Sequence, residues 1–176
     1  MHNTEKQCQG GAIPSGRKGE KMKLLVFSDT HGMSLYMQEA IARHRTADAV
    51  IFLGDGARDF ETMRALFPQH AFYAVRGNCD LGIDLPDELV LDLDGVKIFC
   101  THGHNYGVKY DYYRINCAAR SRGAGLALFG HTHQPLELYD NGLYLVNPGS
   151  ASGYRASYAW IDASERGILT NIIYRK

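Results

Sequence analysis

Residues 23–31 read KLLVFSDTH, an apolar run of strand length that ends in the polar group Asp29-Thr30-His31. The same order of residues returns in AVIFLGD at 49–55, where a second apolar run ends at Gly54-Asp55. A short run that is apolar throughout is typical of a strand buried on both faces, as in a parallel sheet covered by helices. These two stretches predict parallel strands that each end in a polar turn.

The segments around these two strands extend the pattern to βαβαβ and then to hairpins. Helices are predicted over residues 35–45, 57–67 and 110–122. Further strands are predicted over residues 70–75, 88–93, 96–100, 125–129, 136–139, 143–146, 158–162 and 168–174. Asp94-Gly95 and Asp140-Asn141-Gly142 supply the turns of two hairpins. This order predicts an α/β protein in which two sheets pack face to face with helices outside.

Composition places the chain among ordinary globular proteins and excludes several functional classes. The 176 residues are 45% hydrophobic and 22% charged, which suits one domain. Lys and Arg together number 19, as do Asp and Glu, so no net field attracts nucleic acid or an anionic membrane. Four cysteines without a CxxC pair exclude a disulfide scaffold and a zinc ribbon. We expect a cytoplasmic protein without membrane association or extended nucleic-acid binding.

Residues 1–21 differ in composition and in hydrophobic pattern from the rest of the chain. They are polar and Gly-rich, without periodicity and without the apolar segment of a secretory signal. This predicts a disordered tail or an added extension over residues 1–21, followed by a single domain over residues 22–176.

Polar side chains with metal-binding chemistry follow the predicted strands at intervals of 23 to 29 residues. They are Asp29, His31, Asp55, Asn78, His102, His131 and His133. Loops at the carboxyl ends of parallel strands converge on one crevice, so we expect these side chains to lie together. Carboxylate, imidazole and amide ligands without thiolate suit Mn²⁺, Fe²⁺, Ni²⁺ or Zn²⁺. Seven ligands are too many for one tetrahedral ion. They suit two ions that share a carboxylate, as in hydrolases that act on phosphoryl centres.

Each of these motifs taken alone is more typical of a simpler structure. Asp-x-His is usually a helix cap or a surface turn, and Gly-Asp or Gly-Asn is usually a turn. Their order along the chain, each at the end of a strand, is what predicts a metal site.

Five short blocks together resemble the calcineurin-like metallophosphoesterases. They are DTH at 29–31, GD at 54–55, GN at 77–78, HGH at 102–104 and GHTH at 130–133. The resemblance implies a four-layer α/β/β/α sandwich of two mixed sheets flanked by helices, the fold of that family.

Three longer blocks narrow the resemblance to one branch. GNCD at 77–80, THGH at 101–104 and NPGS at 147–150 are similar to the YfcE-like small phosphodiesterases, relatives of the phosphoesterase-fold subunit of retromer. The resemblance covers residues 22–176. It implies a metal-dependent hydrolase of small phosphodiesters, with cyclic and nucleotide-like diesters included.

The resemblance also implies how the ligands are shared. One ion would be held by Asp29, His31, Asp55 and His133, and the other by Asp55, Asn78, His102 and His131. The cofactors would be two divalent ions, with Mn²⁺ as first choice and Ni²⁺, Fe²⁺ or Zn²⁺ as alternatives. A hydroxide bridging the two ions would attack the phosphorus of the substrate.

Further residues in the same blocks are candidates for substrate contact and catalysis. Asn78 and His104 are expected to contact the phosphate, and Arg58 to bind it bidentately. Cys79 stands where many metallophosphoesterases have a histidine, and a thiol of ordinary pKa about 8.5 is a poorer proton donor. This favours activated or cyclic diesters, although a small buried turn residue explains Cys79 equally well. Asp80 would orient its neighbours.

Three other functions compete with a phosphodiesterase. The main alternative is a protein-interaction scaffold with little activity, because the retromer subunit is mainly a scaffold. Scaffold relatives tend to lose ligand residues, whereas all seven are present here. A nuclease with a long track is disfavoured by the neutral charge, and a protein phosphatase by Cys79. The strand edges of the hairpins leave room for a homo-oligomer.

Overall fold

A computed structural model describes residues 21–93 and 95–176, where ten strands, three helices and one 3-10 turn are found. In chain order they are β1 Met22–Phe27, α1 Leu35–Arg43, β2 Ala49–Phe52, α2 Ala57–Leu66, β3 Ala71–Ala74, β4 Glu88–Leu93, β5 Val96–Thr101, the 3-10 turn His104–Tyr106, α3 Tyr113–Ser121, β6 Leu126–Leu128, β7 Leu136–Asp140, β8 Leu143–Asn147, β9 Ser157–Ser164 and β10 Gly167–Tyr174. The predicted tail lies outside these residues except for Lys21, as does Asp94 of the first hairpin turn. No helix within the described ranges is long and apolar enough to cross a membrane.

The first sheet contains the strands that open the sequence. Its order is β10-β9-β1-β2-β3. The predicted parallel pairing holds for β1 with β2 and for β2 with β3, and Ala49 is in register with Leu24 on one side and Ala71 on the other. The last two strands add to the β1 edge in antiparallel orientation, which makes the sheet mixed.

The second sheet has the same number of strands and is also mixed. Its order is β4-β5-β6-β8-β7. The three central strands, β5, β6 and β8, are parallel, and the two edge strands pair with them as antiparallel hairpins.

Alternation along the strands separates three apolar layers. Leu24 and Val26 of β1 face the layer between the sheets, and Leu25 and Phe27 face the outer layer under α1 and α2. Helix α3 covers the outer face of the second sheet through side chains such as Ile115. Truncating a fully buried leucine in such a layer costs about 2–5 kcal/mol. The predicted four-layer α/β/β/α sandwich is therefore confirmed.

One predicted helix is shorter than expected. The helix predicted over residues 110–122 begins at Tyr113, and residues 110–112 form a turn and bend instead. Upstream of them, the 3-10 turn is flanked by Gly103 and Gly107, which have left-handed φ angles of 99° and 66°. The carboxylate of Asp111 then accepts the backbone N–H of Tyr113 at 2.9 Å, which fixes the first turn of α3.

Candidate metal centre

The loops that follow the parallel strands meet at one edge of the sandwich. Within the first sheet, the N–H of Asp29 donates to Gly54 O at 2.9 Å. Within the second, the N–H of Gly130 donates to His102 O at 3.1 Å. The two sheets are joined where the N–H of His131 donates to Asp29 Oδ2 at 3.1 Å. The structure thus brings all the predicted ligand loops to one place.

Five of the seven predicted ligands have a left-handed backbone. Their φ angles are 57° for Asp29, 47° for His31, 61° for Asp55, 67° for His131 and 59° for His133. Among the residues that the structure describes, Asn141 is the only other non-glycine residue with a positive φ. Each such conformation costs about 1–3 kcal/mol and persists where the surroundings impose it, most often at functional sites. The backbone conformation therefore identifies this edge as a candidate functional site, independently of the residue types.

The glycines before the ligands allow the loops to approach closely. A Cβ on Gly77 would lie 2.1 Å from Asp55 Oδ1, and a Cβ on Gly130 would lie 1.9 Å from Ser28 Oγ. Contacts this short are not possible for a side chain, so glycine is required at both positions.

Three donor atoms converge at the outer part of the edge. Asp29 Oδ2 accepts the hydroxyl of Ser28 at 2.5 Å, but Asp29 Oδ1 is buried and has no hydrogen-bond partner. That oxygen lies 3.1 Å from His133 Nε2 and 3.8 Å from His31 Nε2. The two imidazole nitrogens are 3.3 Å apart. A buried carboxylate oxygen facing two imidazole nitrogens fits one divalent cation, whose bonds to such ligands are about 2.0–2.2 Å long.

A second group of donors surrounds the fully buried His102. Its Nδ1 lies 2.7 Å from Leu53 O and donates to that carbonyl, which leaves Nε2 as the ring nitrogen that faces the site. His102 Nε2 is 3.1 Å from Asn78 Oδ1, 3.2 Å from His131 Nδ1 and 3.5 Å from Asp55 Oδ2. An amide oxygen, two imidazoles and a carboxylate fit a second cation. One oxygen each of Asp29 and Asp55 lies within 4.8 Å of a His102 nitrogen, so the two groups adjoin.

The electrostatics of the edge favour bound positive charge. Burial alone would raise the pKa of Asp55, but hydrogen bonds from His102 and the Cys79 N–H outweigh it and hold the pKa well below its usual range. Burial would lower the pKa of His102, yet the carboxylates of Asp55 and Asp29 raise it. Burial, followed by the charge of His102, lowers the pKa of His131 to about 4. An ionised carboxylate beside a neutral imidazole is the form that binds divalent cations.

Asp80 holds the ligand loops in place through the backbone. Its two carboxylate oxygens accept the N–H groups of Asp55 at 2.8 Å and of Gly56, Ala57 and Gly77 at 2.9 Å. The side chain is buried and its hydrogen bonds all run to these two loops. Sequence analysis named Asp80 as a catalytic candidate that orients its neighbours. These hydrogen bonds orient the two loops, and a direct catalytic role stays a prediction.

Cys79 lies at the surface of the site, so the alternative of a small buried turn residue is wrong. Its backbone N–H donates to Asp55 Oδ1 at 2.7 Å, and its sulfur accepts a hydrogen bond from Asn78 Nδ2 at 3.3 Å. The carboxylate of Asp55 and then burial raise the pKa of the thiol. In the metal-free protein these groups favour the protonated thiol.

The predicted substrate contacts flank the two donor groups. Arg58 is exposed in the first turn of α2 and lines a groove of about 280 Å³ with His31 and Cys79. On the other side, the ring of His104 lies 5.4 Å from that of His102 and 6.1 Å from that of His131. Its Nδ1 is buried without a hydrogen-bond partner, and burial lowers its pKa.

The structure adds positioning residues to which the sequence analysis gave no role. Asn147 Nδ2 donates to Gly130 O at 2.9 Å and to Thr132 Oγ1 at 3.0 Å, and Ser150 Oγ donates to Asp29 O at 2.7 Å. These contacts explain the NPGS block, whose only signal in the sequence was its resemblance to a family motif. Asp59 accepts the Thr30 hydroxyl at 2.5 Å, and nothing in the sequence indicated that contact.

Comparison with known proteins agrees with this geometry. Residues 22–166 match the calcineurin-like phosphoesterase superfamily domain. The probable metallophosphoesterase YsnB of Bacillus subtilis is 35% identical over 130 residues, covering 73% of this chain and 75% of that protein. The phosphodiesterase YfcE of Escherichia coli is 31% identical over 172 residues, covering 80% of this chain and 88% of that protein.

Solved structures share the fold. A predicted phosphoesterase from Streptococcus pneumoniae superposes with a TM-score of 0.73 at 27% identity, covering 88% of this chain and 98% of that one. Vps29 from Entamoeba histolytica has the same fold, with a TM-score of 0.69 at 21% identity over 88% of this chain and all of that one. The matched domain and these relatives show that the chain belongs to the calcineurin-like phosphoesterase superfamily.

Proposed function

We propose that this protein is a phosphodiesterase that hydrolyses small phosphodiesters with two divalent metal ions, Mn²⁺ being the first choice. The observation that carries the proposal is the left-handed backbone of five polar residues at one sheet edge, whose side chains form two adjoining donor groups. Relatives named as phosphodiesterases support the reaction class. The cytoplasmic location stays a prediction from composition.

Each donor group would hold one ion. The first would use Asp29, His31 and His133, and the second Asn78, His102 and His131, with Asp55 shared between them. Bound divalent ions would neutralise charge on the phosphate oxygens and lower the pKa of a coordinated water. The protein's part is to hold these ligands in fixed positions, which Asp80 and the glycine contacts accomplish before any ligand arrives.

Two side chains beside the donor groups would bind the phosphate. Arg58 projects from the groove beside His31 and would donate bidentately to two phosphate oxygens. His104 adjoins the rings of His102 and His131 and would donate through a ring nitrogen. Both contacts orient the diester without taking part in bond cleavage.

The neutral thiol at position 79 favours substrates with good leaving groups. Cys79 holds its proton more tightly than an imidazolium would, because Asp55 and burial raise its pKa. Protonation of an alkoxide by this group is inefficient, so esters with acidic leaving groups react faster. Aryl diesters, whose leaving groups are acidic, and cyclic diesters activated by ring strain are therefore better substrates than alkyl monoesters.

The test is hydrolysis of bis(p-nitrophenyl) phosphate by chelator-treated protein, with Mn²⁺, Ni²⁺, Mg²⁺ or Zn²⁺ added back singly. Turnover should return with metal, exceed that of p-nitrophenyl phosphate, and fall about 1,000-fold or more in Asp55→Asn, because a shared ligand is lost. Asp92→Asn, an exposed carboxylate on β4, is the matched control and should retain full turnover. Turnover that survives chelation, or that is equal in both variants, would contradict the proposal.

A protein-interaction scaffold is the second candidate. It is favoured by exposed apolar side chains on edge strands, where Val90 of β4 is 47% exposed, Leu138 of β7 42% and Leu169 of β10 60%. Strand edges of this kind would also let two copies of the chain pair, and light scattering would report that mass. Two ions bound per chain without turnover of any diester would support the scaffold.

A further inference from the structure

A second recess, the basic cleft, opens beside the metal centre and is not used by the proposed reaction. It is lined by His133, Tyr154, Arg155, Tyr174, Arg175 and Lys176, among others, and encloses about 800 Å³. His133 belongs both to this lining and to the outer donor group, so the two sites are continuous. We infer that the cleft binds the part of the substrate beyond the diester, and that this part carries an aromatic ring and a second phosphate, as in a nucleoside bisphosphate ester. The inference rests on the proposed function.

The positive charge of the cleft favours binding of an anion. No acidic side chain lines it, and Arg155 and Arg175 form no ion pair with any residue in the described ranges. Four other arginines in the described part of the chain are ion-paired, among them Arg120 with Asp140 at 3.0 Å and Arg122 with Glu88. What distinguishes Arg155 and Arg175 is their position, because both line one cleft together with Lys176 and with His133 of the metal centre. Guanidinium groups bind phosphate bidentately.

The lining of the cleft also suits an aromatic ring of a ligand. Tyr154 is 94% exposed and Tyr174 is 57% exposed, and both line the cleft. Exposed tyrosines beside arginines form a surface on which nucleobases stack, worth about 1–3 kcal/mol per base.

The walls of the cleft are fixed to the fold. The N–H of Arg175 donates to Ala156 O at 2.8 Å, and its guanidinium lies 5.8 Å from the ring centroid of the buried Tyr36. The N–H of Ala151, in the segment that leads to Arg155, donates to Ser28 O at 2.8 Å beside the metal ligand Asp29. A group bound in the cleft is therefore held at a defined place relative to the diester, which lowers the entropy cost of binding.

The test compares two substrates that differ by one phosphate. These are thymidine 5′-(p-nitrophenyl phosphate) and the same ester with a 3′-phosphate, and both release nitrophenolate. The 3′-phosphate should raise kcat/KM about tenfold or more, mainly through KM, as one charge-assisted contact does. Arg155→Ala/Arg175→Ala should bring the ratio of the two kcat/KM values close to one. Arg166→Ala, an exposed cation in the β9–β10 turn, is the control and should keep the ratio.

A further variant distinguishes binding of the base from binding of the second phosphate. Tyr154→Ala should raise KM for both nucleoside substrates by about the same factor and leave their ratio unchanged, because both carry the base. A change in the ratio without a change in the common KM would contradict the stacking role.

The outcomes distinguish this inference from the proposed function. A ratio near one in the unmodified protein, or a ratio unaffected by the double variant, overturns the inference while bis(p-nitrophenyl) phosphate turnover upholds the phosphodiesterase. If no diester is hydrolysed, calorimetry with thymidine 3′,5′-bisphosphate and thymidine 5′-phosphate decides the matter. Tighter binding of the bisphosphate, lost in the double variant, supports the cleft, and equal affinities refute it.

Discussion

The two ends of the sandwich contain turns between strands of the same sheets, yet their backbones differ. At the far end, the turns place glycines in the left-handed region, with φ of 80° at Gly95 and 88° at Gly142, and Asn141 is the one non-glycine residue with a left-handed backbone among the described residues there. At the metal-centre end, the left-handed positions include two aspartates and three histidines. Glycine adopts this conformation without a Cβ penalty, whereas a non-glycine residue has some cost, which is smaller for asparagine, aspartate and histidine than for other types. The far end builds its turns mainly on glycine, so five non-glycine residues with this backbone at the other end are a concentration of strain that the turns themselves do not require.

Carboxylates at the two ends of the sandwich also differ, in their burial and in their hydrogen-bond partners. Asp80 is buried and accepts four backbone N–H groups from two loops. Asp140 at the far end accepts hydrogen bonds from the side chains of Arg120 at 3.0 Å and Asn116 at 2.9 Å, near the surface. A buried carboxylate that joins two loops organises a site, and an exposed one adds little to stability.

The sharpest test of this comparison adds one methyl group at each end. In Gly77→Ala the Cβ would lie 2.1 Å from Asp55 Oδ1 and 2.3 Å from its backbone nitrogen, so the loop must move. We expect turnover of bis(p-nitrophenyl) phosphate to fall 100-fold or more, with about 1–3 kcal/mol of destabilisation from overpacking. Gly125→Ala, at the start of β6, meets nothing within 4 Å and should change neither quantity. Equal effects on activity would show that the close approach is unimportant.

A second pair of substitutions removes one charge at each end. Asp80→Asn puts an amide NH₂ against backbone N–H donors, so we expect a 10- to 100-fold loss in metal affinity or turnover, as for other groups that orient ligands. Unfolding free energy should fall by about 1.5–3 kcal/mol, since hydrogen bonds to a charged acceptor are lost.

Asp140→Asn is the matched control for this pair. We expect no change in metal affinity and a shift of Tm too small to separate from that of the unmodified protein. Calorimetry with Mn²⁺ and thermal unfolding of both variants make the comparison. A loss of metal affinity in Asp140→Asn would refute the separation of the two ends.

The strands and the ligand types were predictable because both are local properties of the sequence. The run AVIFL at 49–53 is apolar throughout, and the residues that follow it carry the chemistry. Parallel pairing then requires the ends of neighbouring strands to meet, so the convergence of Asp29 with Asp55 follows from the pairing of β1 with β2. His131 follows β6 in the other sheet, and its approach to Asp29 depends on how the two sheets pack. The 3-10 turn was not predictable in the same way, because it depends on which glycines adopt left-handed angles.

Features that depend on contacts between distant segments were not predictable. Sequence analysis expected Asp80 to orient its neighbours, but it did not indicate the actual partners, which are N–H groups more than twenty residues earlier in the chain. The exposure of Cys79 depends on the same packing. The basic cleft draws residues from three separate segments, around His133, Arg155 and Arg175, and no motif joins them.

A third pair of substitutions relieves the backbone strain directly. His133→Gly removes a left-handed histidine that is half-exposed, so the metal-free protein should gain up to about 1 kcal/mol of stability while losing turnover. Asn141→Gly should give a smaller gain without loss of turnover, because asparagine tolerates its φ of 42°. Thermal unfolding in the presence of a chelator checks both. A loss of stability in His133→Gly would mean that its contacts outweigh the strain.

The smallest expected effect concerns a histidine that lies between the two ends. His44 contacts the hydroxyl of Tyr158 at 2.7 Å and packs against Trp160 with ring centroids 4.6 Å apart and the planes tilted by 37°. Burial, and then the charge of Arg43, lower the pKa of His44 below its ordinary value of 6.5. The unfolded chain therefore binds a proton more readily than the folded protein, and His44 withdraws stability as the pH falls through 6.5 towards the lowered pKa.

Comparison with a variant that cannot titrate isolates this effect from the histidines of the metal centre. His44→Gln should be less stable than the unmodified protein at pH 7.5, because it loses the ring contact with Trp160. The difference in Tm should narrow between pH 7.5 and pH 5, since only the unmodified protein loses the contribution of a neutral His44. If the difference stays constant or widens, protonation of His44 does not oppose folding, and the pH dependence of stability belongs to the metal-centre end alone.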